Sequence, residues 1–157
     1  MRTKIVSAFP GTGKTFYHQN NSKTSLDSDS IDYSWLCNDD GTRTNVRNPA
    51  FPQNYIDHIK ENIGKYEHIF VSSHKEVREA LLNNCLFFYL VYPSKSEKSF
   101  YMKKYEDRGS NPAFIKLIGD NWDARLNEVD ESASNEESIY KYELDYRETI
   151  SDFTEWV

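Results

Sequence analysis

The sequence predicts an α/β domain with a mainly parallel sheet. Three observations predict it: short apolar runs without strict alternation, amphipathic segments of helical period between them, and regular exchange of the two along all 157 residues. Apolar runs of that kind suit strands covered on both faces. The length fits one domain, spanning residues 1–157.

The first strand is expected over residues 4–9, Lys-Ile-Val-Ser-Ala-Phe. A short helix over 15–20 follows a glycine-rich turn, and residues 24–26 form a weak second strand. Residues 38–54 show no periodicity and contain Gly41, Pro49 and Pro52, so they read as a long irregular stretch. Residues 52–64 place Tyr55, Ile56, Ile59 and Ile63 at helical spacing, with Gly64 to stop the helix. The third strand is residues 68–72, followed by a helix over 73–83 with Ser72 or Ser73 as its N-cap. Residues 86–92 form the fourth strand. Helices over 96–107 and 112–129 follow; the second carries Phe114, Ile115, Ile118, Trp122, Leu126 and Val129. Residues 130–138 are acidic and Ser/Asn-rich and read as an exposed loop. Residues 139–144, Ile-Tyr-Lys-Tyr-Glu-Leu, alternate as a half-buried late or edge strand does, and 149–157 read as a last helix.

Composition excludes several classes. The net charge is -6, which argues against a general affinity for nucleic acid, although local basic clusters remain compatible with it. Aromatics make up 15% of the chain, enough to build a core, so global disorder is not expected. Two cysteines without a CxxC pair argue against a disulfide framework or a cysteine zinc site, and fit a reducing compartment. No apolar run approaches the ~20 residues of a membrane span. The expected location is therefore cytoplasmic, or the host cytoplasm if the protein is viral, with no membrane partner.

The strongest chemical signal is Ala8-Phe9-Pro10-Gly11-Thr12-Gly13-Lys14-Thr15. It fits the phosphate-loop pattern G-x-x-x-x-G-K-[ST] with Ala8 at the first glycine position, between a strand and a helix as that motif requires. Gly11 and Gly13 let successive backbone N–H groups approach phosphate oxygens. Pro10 and Thr12 complete the loop. Lys14 supplies a cation for the β- and γ-phosphates, and the Thr15 hydroxyl is a candidate Mg²⁺ ligand. Asp27 and Asp29 follow in Leu-Asp-Ser-Asp-Ser, at the expected end of the second strand. Carboxylates there suit a metal, with Asp27 the first candidate, or an acceptor hydroxyl; the same residues also read as an Asp/Ser turn.

Together, these two motifs resemble those of the small P-loop kinases: the nucleoside monophosphate kinases, shikimate kinase and gluconate kinase. They are also similar to small viral P-loop proteins, some of which act as deoxynucleotide kinases. The resemblance implies a P-loop NTPase three-layer sandwich with strand order 2-3-1-4-5. It further implies an acceptor-binding region at about residues 30–64 and a lid at about 94–112. In shikimate and gluconate kinases such a D-x-D lies beside magnesium and the acceptor.

Within the acceptor region, Tyr33, Trp35 and Phe51 are candidate faces for a base, and Arg43 and Arg47 candidate cations for a phosphate. Arg78 is a further acceptor-binding candidate. The third strand ends in Ser72-Ser73-His74 rather than an acid, which leaves the metal to the second-strand carboxylates; Ser72 would then bond hydrated magnesium or the phosphate loop. His74 fits a cap or surface position better than a direct role. Arg108, then Lys104, are the lid cations that would stabilise a transferring phosphoryl group; Arg125 lies on a core-packing helix and ranks lower. The expected activity is an ATP- and Mg²⁺-dependent phosphotransferase acting on a nucleoside or (deoxy)nucleoside monophosphate. The alternatives are a polynucleotide 5′-hydroxyl kinase and a nucleotide-binding switch with little turnover. The sequence leaves the base, the sugar, the donor nucleotide and the oligomeric state open.

Overall fold

Burial is nearly continuous along the central strands, with all five residues of His68–Ser72 buried, so both faces of the sheet are covered. The computed structural model describes residues 2–134 and 136–153. In chain order its elements are β1 (Lys4–Ala8), α1 (Lys14–Asn20), β2 (Ser25–Asp27), α2 (Ile31–Ser34), β3 (Trp35–Cys37), β4 (Arg43–Arg47) and α3 (Gln53–Asn62). Then come β5 (His68–Ser72), α4 (Lys75–Asn83), β6 (Phe88–Pro93), α5 (Lys98–Asp107), α6 (Pro112–Asp120), α7 (Trp122–Ser134) and β7 (Ile139–Leu144). Short 3₁₀ turns lie at Lys95–Glu97 and Ile150–Phe153.

Five strands form one sheet in the order β2-β5-β1-β6-β7, and every pairing in it is parallel. Numbered along the chain, that is the order 2-3-1-4-5. Ile5, Ile69, Val71, Phe88, Leu90 and Tyr92 pack on one side with residues of α3 to α7. Val6, Ala8, Phe70 and Val91 pack on the other with Tyr17 of α1 and Ile150. This period-2 split explains why the strands read as unbroken apolar runs: both faces are dry. Register sets Ala8 beside Ser72 and Val91, which brings the C-terminal ends of three strands to one level. No helix among the described residues is long and apolar enough to cross a membrane.

The structure departs from expectation in five places. Residues 38–54 are not wholly irregular, because β3 and β4 form an antiparallel hairpin. Its turn is tied by Asn38 N–H to the Thr42 carbonyl at 2.8 Å, with Gly41 at φ +85. Neither strand is fully buried at any position, so no apolar alternation marks them. The long helix expected over 112–129 is two helices. Asn121 breaks it, bonding back to the Leu117 carbonyl at 2.9 Å, while the Trp122 indole donates to the Lys95 carbonyl at 2.9 Å and starts α7 inside the core. That helix runs on to Ser134, into the segment expected to be a loop. At α4 the N-cap is His74 rather than Ser72 or Ser73, with no side-chain cap bond. Of the last expected helix, Ile150–Phe153 is a 3₁₀ turn, and 154–157 lie outside the described residues.

Candidate functional site

The glycine-rich loop leaves β1 at the centre of the sheet and is clamped by its carbonyls. Tyr105 Oη donates to the Pro10 carbonyl at 2.6 Å, and Lys104 Nζ to that of Gly11 at 2.8 Å. Ile150 N–H donates to the Thr12 carbonyl at 2.9 Å. The amides of Gly11, Gly13 and Lys14 have no acceptor among the described residues. Gly11 is required twice over: its φ is +87, and a Cβ there would lie 2.9 Å from Tyr105 Cε1. The result is a backbone cradle with free donors, which suits an anion.

A cavity of about 1010 Å³ opens over this loop, and Pro10, Gly11, Gly13, Lys14 and Thr15 line it. Thr12 is the exception among the loop residues. Its side chain is buried and its hydroxyl donates to the Phe9 carbonyl at 2.8 Å, so it shapes the loop from beneath.

The two aspartates separate. Asp27, the last residue of β2, is not on the cavity lining but touches two residues that are, with Oδ1 3.9 Å from Lys14 Nζ and Oδ2 accepting from the Thr15 hydroxyl at 3.4 Å. Asp29 lines the cavity, and its Oδ1 accepts from Ile31 N–H at 3.0 Å. Ser72 fixes this segment. Its hydroxyl donates to Ser30 Oγ at 2.8 Å and accepts from Ser30 N–H at 3.1 Å. Tyr55 Oη adds a bond to the Ser28 carbonyl at 2.8 Å. The Ser72 hydroxyl is therefore a brace for the 28–30 turn and makes no bond to the glycine-rich loop, one of its two expected partners beside hydrated magnesium. Thr15 and Asp27 are an all-oxygen pair beside the cradle, the donor set of a hard cation such as Mg²⁺. Among the described residues no three His, Cys, Asp or Glu side chains form a metal cage, so such an ion would complete its shell with water and ligand oxygens.

Trp35 and Arg47 line the cavity with Phe51. The Arg47 guanidinium lies over the Trp35 ring at 5.3 Å and the Phe51 ring at 5.1 Å, and pairs with Glu76 at 3.0 Å. Arg108 also lines it, over the Tyr105 ring at 4.9 Å and bonded to Ser110 Oγ at 2.9 Å. Burial, then the charge of Arg108, lower the pKa of Lys104. The cavity wall thus carries Lys14, Arg47, Lys104, Arg108 and Arg125 against Asp29 and Glu76. In a chain of net charge -6 this is a local cationic field.

Three expected acceptor residues are not on the wall. Tyr33 packs against Tyr55 and His58, with ring centroids 5.3 and 5.0 Å away, and its ring serves α3 packing. Arg43 lies opposite Cys37 in the hairpin, solvent-exposed and off the cavity. Arg78 is 3% exposed and held by Glu128, Ser132 and the Ser73 carbonyl, so it ties α4 to α7. Its neighbours in the helix say nothing of this, because Glu128 and Ser132 lie 50 and 54 residues away. Arg78→Ala should therefore lower stability by about 2–3 kcal/mol, less than for a fully dry pair because Glu128 stays partly hydrated. Denaturant unfolding would read that loss, with ligand affinity of the folded protein unchanged.

Two residues that sequence reasoning ranked low do reach the cavity. Arg125 lines it from α7 and has no hydrogen-bond or ion-pair partner for its side chain among the described residues. His74 lines it at the mouth; desolvation by the surrounding protein, then the charge of Arg125, lower its pKa, so it is neutral near pH 7. The only sequence signal for Arg125 was the Asn121-Trp122 junction that sets the phase of α7. No protein-family model matches the chain, and no curated protein is similar to it.

Proposed function

We propose that the chain is a P-loop phosphotransferase that uses Mg²⁺-ATP and a nucleoside or (deoxy)nucleoside monophosphate acceptor. The observation that carries this reading is the division of the two aspartates: Asp27 contacts Lys14 and Thr15, and Asp29 faces the basic, aromatic cleft. One carboxylate thus serves the phosphate side and the other the acceptor side.

The loop amides and Lys14 would bind the donor phosphates, and Thr15 with Asp27 would hold the metal, which neutralises phosphate charge when bound. Trp35 and Phe51 offer faces for a base, with Arg47 between them for an anionic group of the acceptor. With a nucleoside acceptor, Asp29 orients the attacking hydroxyl and takes its proton at Oδ2, since Oδ1 already accepts from Ile31 N–H; a nucleoside monophosphate attacks through an ionised phosphate oxygen and needs no base. Arg108 and Arg125 flank the transfer point and stabilise charge spreading over the phosphoryl oxygens. The reaction asks little covalent chemistry of the protein beyond this positioning.

The test is a panel of nucleosides, nucleoside monophosphates and a 5′-hydroxyl oligonucleotide with ATP labelled at the γ-phosphate. Label is expected in a nucleoside mono- or diphosphate. Transfer to the oligonucleotide alone would make the chain a polynucleotide kinase, and transfer to nothing would leave a nucleotide-binding switch. With the best acceptor, Arg125→Ala should cost about tenfold in kcat/KM, or ~1.4 kcal/mol of transition-state stabilisation. Its melting temperature should stay at the wild-type value, because the side chain ties no other element.

A further inference from the structure

We propose that β7 is a self-pairing edge: a second copy of the chain lays its own β7 antiparallel alongside, centred on Tyr142, joining the two five-stranded sheets across a two-fold axis. β7 ends the sheet, and residues 140–143 are all exposed along it. The opposite edge, β2, has three residues and offers far less to pair with. A six-residue open strand is a template for another chain unless something covers or repels it.

The direction of the backbone groups selects the pairing. The Ser138 carbonyl accepts from Phe88 N–H at 3.2 Å, and the Leu144 carbonyl from Ser94 N–H at 3.3 Å. Both bonds reach toward β6. Along a strand, N–H and C=O turn to alternate sides residue by residue. The even-numbered residues therefore bond inward, and Lys141 and Glu143 turn their N–H and C=O outward. In an antiparallel pair, outward residues must stand opposite outward residues to exchange hydrogen bonds.

Charge then separates the possible registers. Centring on residue 141 sets Lys141 against its own copy, and centring on 143 does the same for Glu143; both place like charges face to face. Centring on Tyr142 sets Lys141 opposite Glu143 of the second copy, and symmetry repeats the pair. Both backbone and charge are satisfied only there. Within one chain Lys141 pairs with Asp130 at 3.0 Å, while Glu143 has no ion-pair partner among the described residues. On the other face the same register brings the two Tyr142 rings together and covers Tyr140, which are 36% and 52% exposed in one chain. None of residues 139–144 lines the cleft, so both clefts stay open in the pair.

The test is the mass of the full chain by light scattering and sedimentation over a concentration series. It compares wild type, Glu143→Lys and the double reversal Lys141→Glu/Glu143→Lys. We expect a wild-type dimer, about tenfold weaker association for Glu143→Lys, and recovery in the double reversal. Thermal melts of wild type and Glu143→Lys at a dilution that leaves both monomeric should coincide, which separates lost pairing from lost folding; the double reversal gives up the Lys141–Asp130 pair and should melt a little lower while still dimerising. A wild type that stays monomeric at its highest soluble concentration overturns the proposal. So does a dimer indifferent to Glu143→Lys, or a double reversal that fails to recover.

Discussion

Lys14→Ala is expected to reduce phosphoryl transfer by a factor of ~10³ or more, with the fold intact. Lys14 Nζ stands over the loop cradle 3.9 Å from Asp27, and its side chain is 22% exposed. A half-hydrated pair of that length contributes at most ~1 kcal/mol to folding, so its loss should move the melting temperature little. Its loss in the reaction is larger. A preorganised cation at developing phosphoryl charge is worth ~3–4 kcal/mol. Nucleotide affinity should fall less, because the amides of Gly11 and Gly13 remain. Stopped-flow transfer and equilibrium ATP binding separate the two effects. Wild-type transfer in the variant would remove the phosphate-loop assignment.

The parts of this site legible in sequence are those determined by local backbone demands. Gly11 and Gly13 adopt positive φ, which few other residues accept, and Lys14 and Thr15 follow at fixed offsets. The central strands were legible because both faces are covered and most of their residues are apolar, with Ser7 and Ser72 as buried exceptions. The hairpin was not, since β3 and β4 bury almost nothing. Arg78 and Arg125 make the limit plain. Both are arginines on amphipathic helices, yet one is a buried tie and the other a cleft cation. What decides between them is Glu128 and Ser132 for Arg78, and for Arg125 a helix break set by the Trp122 bond to Lys95. Both causes are long-range, and neither leaves a periodicity. Likewise, the sequence placed Asp27 and Asp29 together at a strand end, but only their contacts separate them, Asp27 with Lys14 and Thr15 and Asp29 on the cavity lining.

That separation makes the pair the sharpest test of mechanism. Asp29→Asn keeps the bond from Ile31 N–H through its amide oxygen but leaves an amide nitrogen where the proton should go. With a nucleoside acceptor it should lower the single-turnover rate by ~10²-fold or more, the range of lost general-base chemistry. The magnesium concentration for half-maximal rate should stay unchanged. Asp27→Asn removes the carboxylate beside Thr15 and Lys14, and should lower the rate by a comparable ~10²-fold at fixed magnesium. Here, however, raising magnesium should recover part of the loss, because the defect lies in holding the ion rather than in moving a proton. ATP binding without metal should hold within a few-fold in both variants, since neither carboxylate belongs to the amide cradle. The two titrations against magnesium therefore diverge if the division of labour is right. If both variants respond to magnesium alike, the carboxylates act as one group and the assignment of Asp29 to the acceptor fails. If both transfer phosphate at the wild-type rate, residues 27–29 are only a braced turn.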